Sequence, residues 1–309
     1  MFRFLVGRLL QGLLVLFALY TITFFLAKAM PGEPFTSEKN VSAETKANIR
    51  KLYGLDKPLW EQYYVYPKNI ITQGSLGVST SKGRPVGDII AQSFPNSLLL
   101  GLCALGFAVG IGVPIGVLSA VRKNSWVDWT CMAVAMIGIC VPSFTIGPLL
   151  QIYLAAHLPG LKVAGWGSPQ DVLLPAFTLG LVSAAYLARL TRGGILEVLS
   201  QDFVRTAQAK GLSPSKVIIK HSLRGGLIPA VAYLGPAFAA LISGSFIVET
   251  IFQVPGMGQH FVNAATTRDE FLLLGVSLFF GFLIVVMNLL ADVLTGLLDP
   301  RVRISGRSD

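Results

Sequence analysis

Six times along this chain, twenty or more residues follow one another with at most one Asp, Glu, Lys or Arg among them. The runs cover roughly 9–29, 97–121, 130–156, 172–191, 227–252 and 271–298. A helix rises about 1.5 Å per residue, so about 20 apolar residues cross the hydrocarbon core of a bilayer. Backbone N–H and C=O groups find no water in that layer, and a helix is the conformation that satisfies them within each run. The chain therefore reads as an all-α polytopic membrane protein with six transmembrane helices in one domain, 1–309. A content of 53% hydrophobic and 13% charged residues, with mean hydropathy +0.64, excludes an ordinary soluble domain. The first run exceeds the apolar stretch of a secretory signal and no small-residue cleavage pattern follows it, so it is kept as a span.

Lys and Arg orient the spans. Arg3, Arg8, Arg122, Lys123, the seven basic residues from Arg189 through Arg224, and Arg301, Arg303 and Arg307 fall on one side. The short loops of the other side hold only Lys162 and Arg268. The positive-inside rule then places both termini in the cytoplasm and leaves 30–95 as an external segment, too long to be counted by that rule. The net charge of +9 is mostly this topology signal, with some attraction to anionic lipid. Basic residues dispersed among spans make a poor nucleic-acid surface.

Within the external segment, Ser42 is placed to cap a helix through Glu44, Ala47, Ile49 and Leu52 that stops at Gly54. A second helix is expected from Asp56-Lys57-Pro58, burying Trp60, Tyr63 and Tyr64; these aromatics equally suit an interface belt. Gly74, Gly77 and Gly83 punctuate the stretch before the second span. Cys103, Cys131 and Cys140 lie in spans and read as packing residues, and His157, His221 and His260 fall in three separate loops with no metal-ligand spacing. Gly106/Gly110 and Gly112/Gly116 are spaced for close helix crossing, with Pro114 as a kink. Glu249 lies near the outer end of the fifth run and Asp292 two turns inside the sixth; a carboxylate there needs a partner, such as Arg189 or a backbone group for Asp292. Pro255, Gly256 and Gly258 form an external turn, read either as a gate or as a plain loop. No catalytic constellation and no G-x-x-x-x-G-K-[ST] phosphate loop is present, so this chain is not expected to bind and hydrolyse ATP by itself in the usual way.

One polar island interrupts the apolar pattern. Residues 201–224, QDFVRTAQAKGLSPSKVIIKHSLR, read as helix, glycine turn and helix. Phe203, Thr206, Ala207 and Lys210 recur at helical spacing, with small Ala207 and Ala209 keeping the surface low enough for another backbone to approach. Gly211 breaks the first helix, and Ser213 before Pro214 is an N-cap with proline at the first helical position.

This island resembles the cytoplasmic coupling loop of ATP-binding-cassette importer permeases. Arg205, Thr206 and Ala207 stand where the general motif has Glu-Ala-Ala, and Leu223-Arg224 stands where it has Leu-Pro, which fits the peptide branch, R-T-A-x-A-K-G-L then H-x-L-R. IIAQSFPNSLLLG, VPSF, ARLTRGGILEVLSQDFVRTAQAKGLS, ETIFQVPGMGQHFVNAATTRD and LDPRVR extend the likeness to nearly the whole chain. It is similar to permeases of binding-protein-dependent importers, in the peptide and nickel branch and nearest the first permease of oligopeptide systems.

The resemblance implies a type I importer permease fold and a pore half that pairs with a homologous second permease. Two ATPase subunits, carrying ATP and Mg, would dock on 192–226 through Phe203, Arg205, Thr206, Ala207, Lys210, Gly211, Ser213 and Lys216. An external binding protein would deliver an oligopeptide, with dipeptides, nickel or glutathione as alternative cargo. The other class of function open to six spans is a stand-alone channel or ion-coupled carrier, which would leave the island unexplained and lacks matching broken repeats.

Overall fold

The computed structural model describes residues 2–30, 54, 56–158, 160–213, 216–242 and 246–298. Helix α1 spans Phe2–Ala29, α2 Leu59–Gln73, α3 Val86–Val121, α4 Trp126–Cys140 and α5 Ser143–Leu150, which continues through a π turn at Gln151–Ala155. A 3-10 turn at Pro169–Val172 opens α6, Leu173–Leu199, followed by α7, Asp202–Ala209. A second π turn, Val217–Ser222, leads into α8, Leu223–Gly226, then α9 Ile228–Ile242, α10 Phe246–Phe252, α11 Met257–Thr267 and α12 Glu270–Leu298. Among the described residues, five helical stretches are long and apolar enough to cross a membrane, or six if α4 and α5 form one bent span.

One of the expected runs is not a single straight helix. Between α4 and α5 the axis turns by 103°. The cause is the Val141-Pro142 pair: proline clashes with a helical residue before it, and Val141 sits at φ −84°, ψ 120°, in extended backbone. In the 227–252 run, α9 and α10 are described and 243–245 lie outside the described residues. The 97–121 run, by contrast, is the later part of a longer helix, since α3 begins at Val86.

The chain forms two compact units. The first contains Met1–Arg8, Leu98–Val254 and Ile284–Asp309. Its axis is α6: in an apolar eighteen-residue window of Pro169–Leu199, 67% of the residues are buried, against 17% in the corresponding window of Val6–Ala29 in α1. Helices α4, α5, α8, α9 and α10 all pack on α6. Small residues permit the approach. Gly112 and Gly116 of α3 lie against the carbonyl oxygens of Ala184 and Ala188, and Gly180 against that of Ala104, where an added Cβ would strike backbone. Gly106 and Gly110 meet nothing, so only one of the two glycine pairs is a packing pair. Leu100, Leu174, Leu241, Val248 and Phe252 build the adjoining core, and Glu249 is fully buried beside them in α10. Cys103 and Cys140 face outward, which corrects their reading as packing residues.

The second unit holds Leu9–Ser97 and Pro255–Leu283. Tyr20 and Phe24 of α1, Tyr66 of α2 and Leu274 of α12 form an interior cluster, and the Tyr20 hydroxyl donates to the Tyr63 carbonyl at 2.6 Å. Tyr66, not Trp60 or Tyr64, is the buried aromatic of α2; Trp60 is 73% and Tyr64 67% exposed. Val78 and Pro85 bridge a short hairpin whose Ser79 and Ser81 hydroxyls both donate to Asp269 Oδ2, at 2.5 and 2.7 Å. Asp269 Oδ1 accepts from Leu272 N at 3.1 Å, so one carboxylate caps α12 and anchors the hairpin. Lys28 and Glu270 pair at 2.5 Å. The helix expected from Ser42 to Leu52 lies outside the described residues.

Candidate functional site

Helix α7 is two turns long and two-faced. Val204 and Ala207, three residues apart, turn inward onto Val198 and Val217. Phe203, Arg205, Thr206 and Lys210 face out, with Phe203 45% exposed. Ala207 is therefore a footing of the surface rather than part of it, which corrects its expected place on the exposed face. Ala209, also small, does stay exposed. Arg205 and Asp202 stand 3.8 Å apart, both open to solvent, a pairing too loose to hold the arginine.

The end of α7 is a Schellman motif. Gly211 N donates to the Gln208 carbonyl at 2.9 Å, and Leu212 N to the Ala207 carbonyl at 3.3 Å. Gly211 sits at φ +76°, the left-handed backbone that this motif demands and that a Cβ penalises. No neighbouring atom lies within 4 Å of where its Cβ would be, so the requirement is conformational and the glycine leaves open space above it. Beyond the turn, the Ser213 carbonyl accepts from Val217 N at 3.1 Å and Lys216 is exposed. Pro214 lies outside the described residues, and the helix expected to follow it continues as a π turn before α8.

Earlier on α6, a clamp ties this helix to α4. Arg192 of α6 engages Asp128 of α4 twice, through Nε to Oδ1 at 2.7 Å and Nη2 to Oδ2 at 2.8 Å. Ser119 of α3 also donates to Oδ1, and Asn124 N to Oδ2 at 3.0 Å. Higher on α6, Gly194 rests on the Gly226 carbonyl of α8, backbone against backbone.

The remaining candidates scatter. Asp292 pairs with Arg8, Nε to Oδ2 at 2.9 Å, and not with Arg189. Pro255 and Gly256 lie in the loop that leads into α11, and Gly258 in its first turn: Gly256 is in extended backbone, Gly258 is buried, and the groups flanking Gly256 are tied to α3. Asn96 Nδ2 donates to the Pro255 carbonyl at 3.0 Å, and Met257 N to Ser97 Oγ at 2.8 Å. His260 belongs to α11 and not to a loop; its Nδ1 stands 2.9 Å from Lys82 Nζ, and burial together with that cation pushes its pKa down to about 4.

The family described as binding-protein-dependent transport system inner membrane component matches residues 112–304, and its N-terminal component matches residues 1–101. The chain belongs to this family. As such an inner membrane component it is 42% identical to the oligopeptide transport system permease protein OppB of Haemophilus influenzae, over 98% of this chain and 100% of that protein. Identity to OppB of Escherichia coli is 41% over the same shares, and to the dipeptide transport system permease protein DppB of Bacillus subtilis 39%, over 98% and 99%. Among solved structures, an inward-facing MetNI methionine ABC transporter chain superposes with a TM-score of 0.56 at 18% identity, over 68% of this chain and 96% of that one, a likeness of fold.

Sequence reading of this inner membrane component missed Asp128 and Arg192, because partners 64 residues apart carry no joint signature. A local signal was present: Ser125 and Asp128 have capping-box spacing, and Ser125 Oγ accepts from Asp128 N at 3.4 Å. It marks the start of α4 ahead of the apolar run that begins at Thr130.

Proposed function

We propose that this protein is one permease subunit of an ATP-driven importer of oligopeptides, with both termini in the cytoplasm. It contributes half of a path completed by a homologous second permease. Two ATPase subunits, which hold the ATP and Mg, dock on the α7 platform, and an external binding protein delivers the peptide. Full-length likeness to oligopeptide permeases is the observation that carries this reading. The exposed set Phe203, Arg205, Thr206, Lys210, Gly211, Ser213 and Lys216 supports the docking role: an apolar ring among cations, on a face whose underside is fixed. Ala207 acts from below by seating the helix.

ATP drives import only if the ATP-bound ATPase pair binds the outward-facing permease more tightly than the inward-facing one. The platform has to transmit that difference, so it has to move as a unit with α6. Near-equal likeness to a dipeptide permease makes dipeptide import the second reading.

The test is reconstitution of the purified complex with its ATPases and binding protein in proteoliposomes, assayed for uptake of labelled peptides, dipeptides, nickel chelates and glutathione. ATP-dependent uptake of tri- to pentapeptides is expected. Uptake of none of the peptides removes the cargo assignment; uptake without any ATPase removes the class.

A further inference from the structure

Within the second unit a pocket of about 290 Å³ opens between the hairpin, the start of α3 and the start of α11. Lys82, Arg84, Gln92, Asn96, Gln259 and His260 line it. The hydrogen bonds settle what polarity it offers. Lys82 has only N–H donors, so the 2.9 Å contact makes His260 Nδ1 the acceptor and leaves the proton on Nε2. The imidazole then presents a donor too. Together with the Arg84 guanidinium and the side-chain amides, the wall is rich in donors.

The described residues supply these cations with no counter-ion of their own. Among the described residues, neither Lys82 nor Arg84 has a carboxylate within 4 Å. Asp269 is the carboxylate whose field reaches Lys82, but its two oxygens are already taken by Ser79, Ser81 and Leu272 N. Lys82 is held below the usual lysine range, first by burial and then by Arg84, and His260 is held neutral by burial and Lys82. Like charges gathered in a partly enclosed space, with no carboxylate among the described residues set against them, are a binding site's electrostatics.

The geometry points to a carboxylate site: the pocket takes the C-terminal carboxylate of the incoming peptide, with Lys82 and Arg84 on the oxygens and the Gln92, Asn96 and Gln259 amides on the adjoining peptide groups. This rests on the peptide-import reading. At about 290 Å³ the pocket is at the lower end of small-ligand sites, room for a chain end and not for a whole oligopeptide. Amide side chains that both donate and accept suit a peptide terminus better than a bare inorganic anion, which only accepts.

The experiment compares ATP-dependent uptake of trialanine as the free acid and as its C-terminal amide, in proteoliposomes holding the full complex. Because the binding protein also sees the terminus, the quantity read is the acid-to-amide preference of the wild type divided by that of a Lys82→Gln, Arg84→Gln variant. A charge-assisted contact corresponds to a ratio of about tenfold or more. A Lys82→Arg, Arg84→Lys variant should keep the wild-type preference, and its assembly with the ATPases controls for folding. An unchanged preference in the Gln variant, or equal loss for acid and amide, overturns the site. Absence of uptake for both forms in the wild type defeats the peptide-import reading instead.

Discussion

Arg192 on α6 holds Asp128 on α4 by a two-point contact at 2.7 and 2.8 Å, with Asp128 almost wholly enclosed. Two further donors, Ser119 Oγ and Asn124 N, complete the carboxylate's shell. One side chain thereby joins the end of α3, the turn after it, the start of α4 and the part of α6 that leads to the α7 platform. A bidentate pair fixes angle as well as distance, which a Lys in place of Arg192 would not.

Removing either partner leaves a charge in a site built for two. Asp128→Ala or Arg192→Ala should each destabilise the protein by about 3–5 kcal/mol, whereas the Asp128→Leu, Arg192→Leu double variant loses less than the two singles added. Thermal unfolding of the purified complex in detergent measures this. Additive losses would show that the two groups do not depend on each other.

At Gly211 the cost is one of backbone alone. Gly211→Ala should destabilise the cap by about 1–2 kcal/mol, and Gly211→Asn by less, since Asn tolerates left-handed backbone. A bulky residue such as Trp adds mass on the open side of the turn. The chain should still insert, and peptide uptake should be lost. Full uptake by Gly211→Trp contradicts the docking role.

The spans were legible because apolarity over twenty residues has one physical solution in a bilayer, and each of the six runs contains helix. What hydropathy could not show was backbone geometry: VPSF is as apolar as its surroundings, yet the pair Val141-Pro142 turns the axis by 103°. The α7 helix and its glycine stop were legible from local chemistry, Gly211 above all. The inward side of Ala207 was not, because its partner Val217 lies across a turn. Partners distant in sequence, Arg8 with Asp292 and Lys82 with His260, were invisible to a reading that has only neighbours. Tyr66 was passed over for Trp60 and Tyr64 because aromatic character alone does not say which face of α2 meets α1.

Protonation of His260 should cost stability at mildly acidic pH. Its pKa in the folded protein is about 4, below the ordinary 6.5, so between these values the unfolded chain binds the proton and the folded one does not. Stability from this group is complete above about pH 6.5 and declines as pH falls toward 4. His260→Gln should flatten that part of the stability curve, read as melting temperature against pH from 4 to 7. A curve of unchanged slope would mean the imidazole is not held neutral.

Asp292 and Arg8 are more open, at 28% and 43% exposure, so their pair is worth less than the buried one. Asp292→Asn should cost about 1 kcal/mol or less, and the charge swap Arg8→Asp, Asp292→Arg should recover most of it. Arg189→Gln should leave the effect of Asp292→Asn unchanged, which separates this pair from the Arg189 partner expected from the sequence. Melting temperatures of the four variants decide it.

Adjacent glycines on α6 offer the sharpest contrast. Gly194 presses on the Gly226 carbonyl, and Gly226 in turn meets the backbone of Ile195, with 2.9 Å from its would-be Cβ to the Ile195 Cα. Gly193 meets nothing within 4 Å. Alanine is the better helix former by about 1 kcal/mol, so Gly193→Ala should be neutral or stabilising. The same change one residue on drives α8 off α6 and should cost about 1–3 kcal/mol. Because Val198, one turn further, also supports Val204, Ala207 and Val217 under α7, displacement of α8 should tilt the platform. Gly194→Ala is therefore expected to weaken the stimulation of ATP hydrolysis by peptide-loaded binding protein, while Gly193→Ala retains it. Equal behaviour of the two variants in both melting and ATPase assays would mean that the α6–α8 contact neither stabilises the fold nor carries the signal.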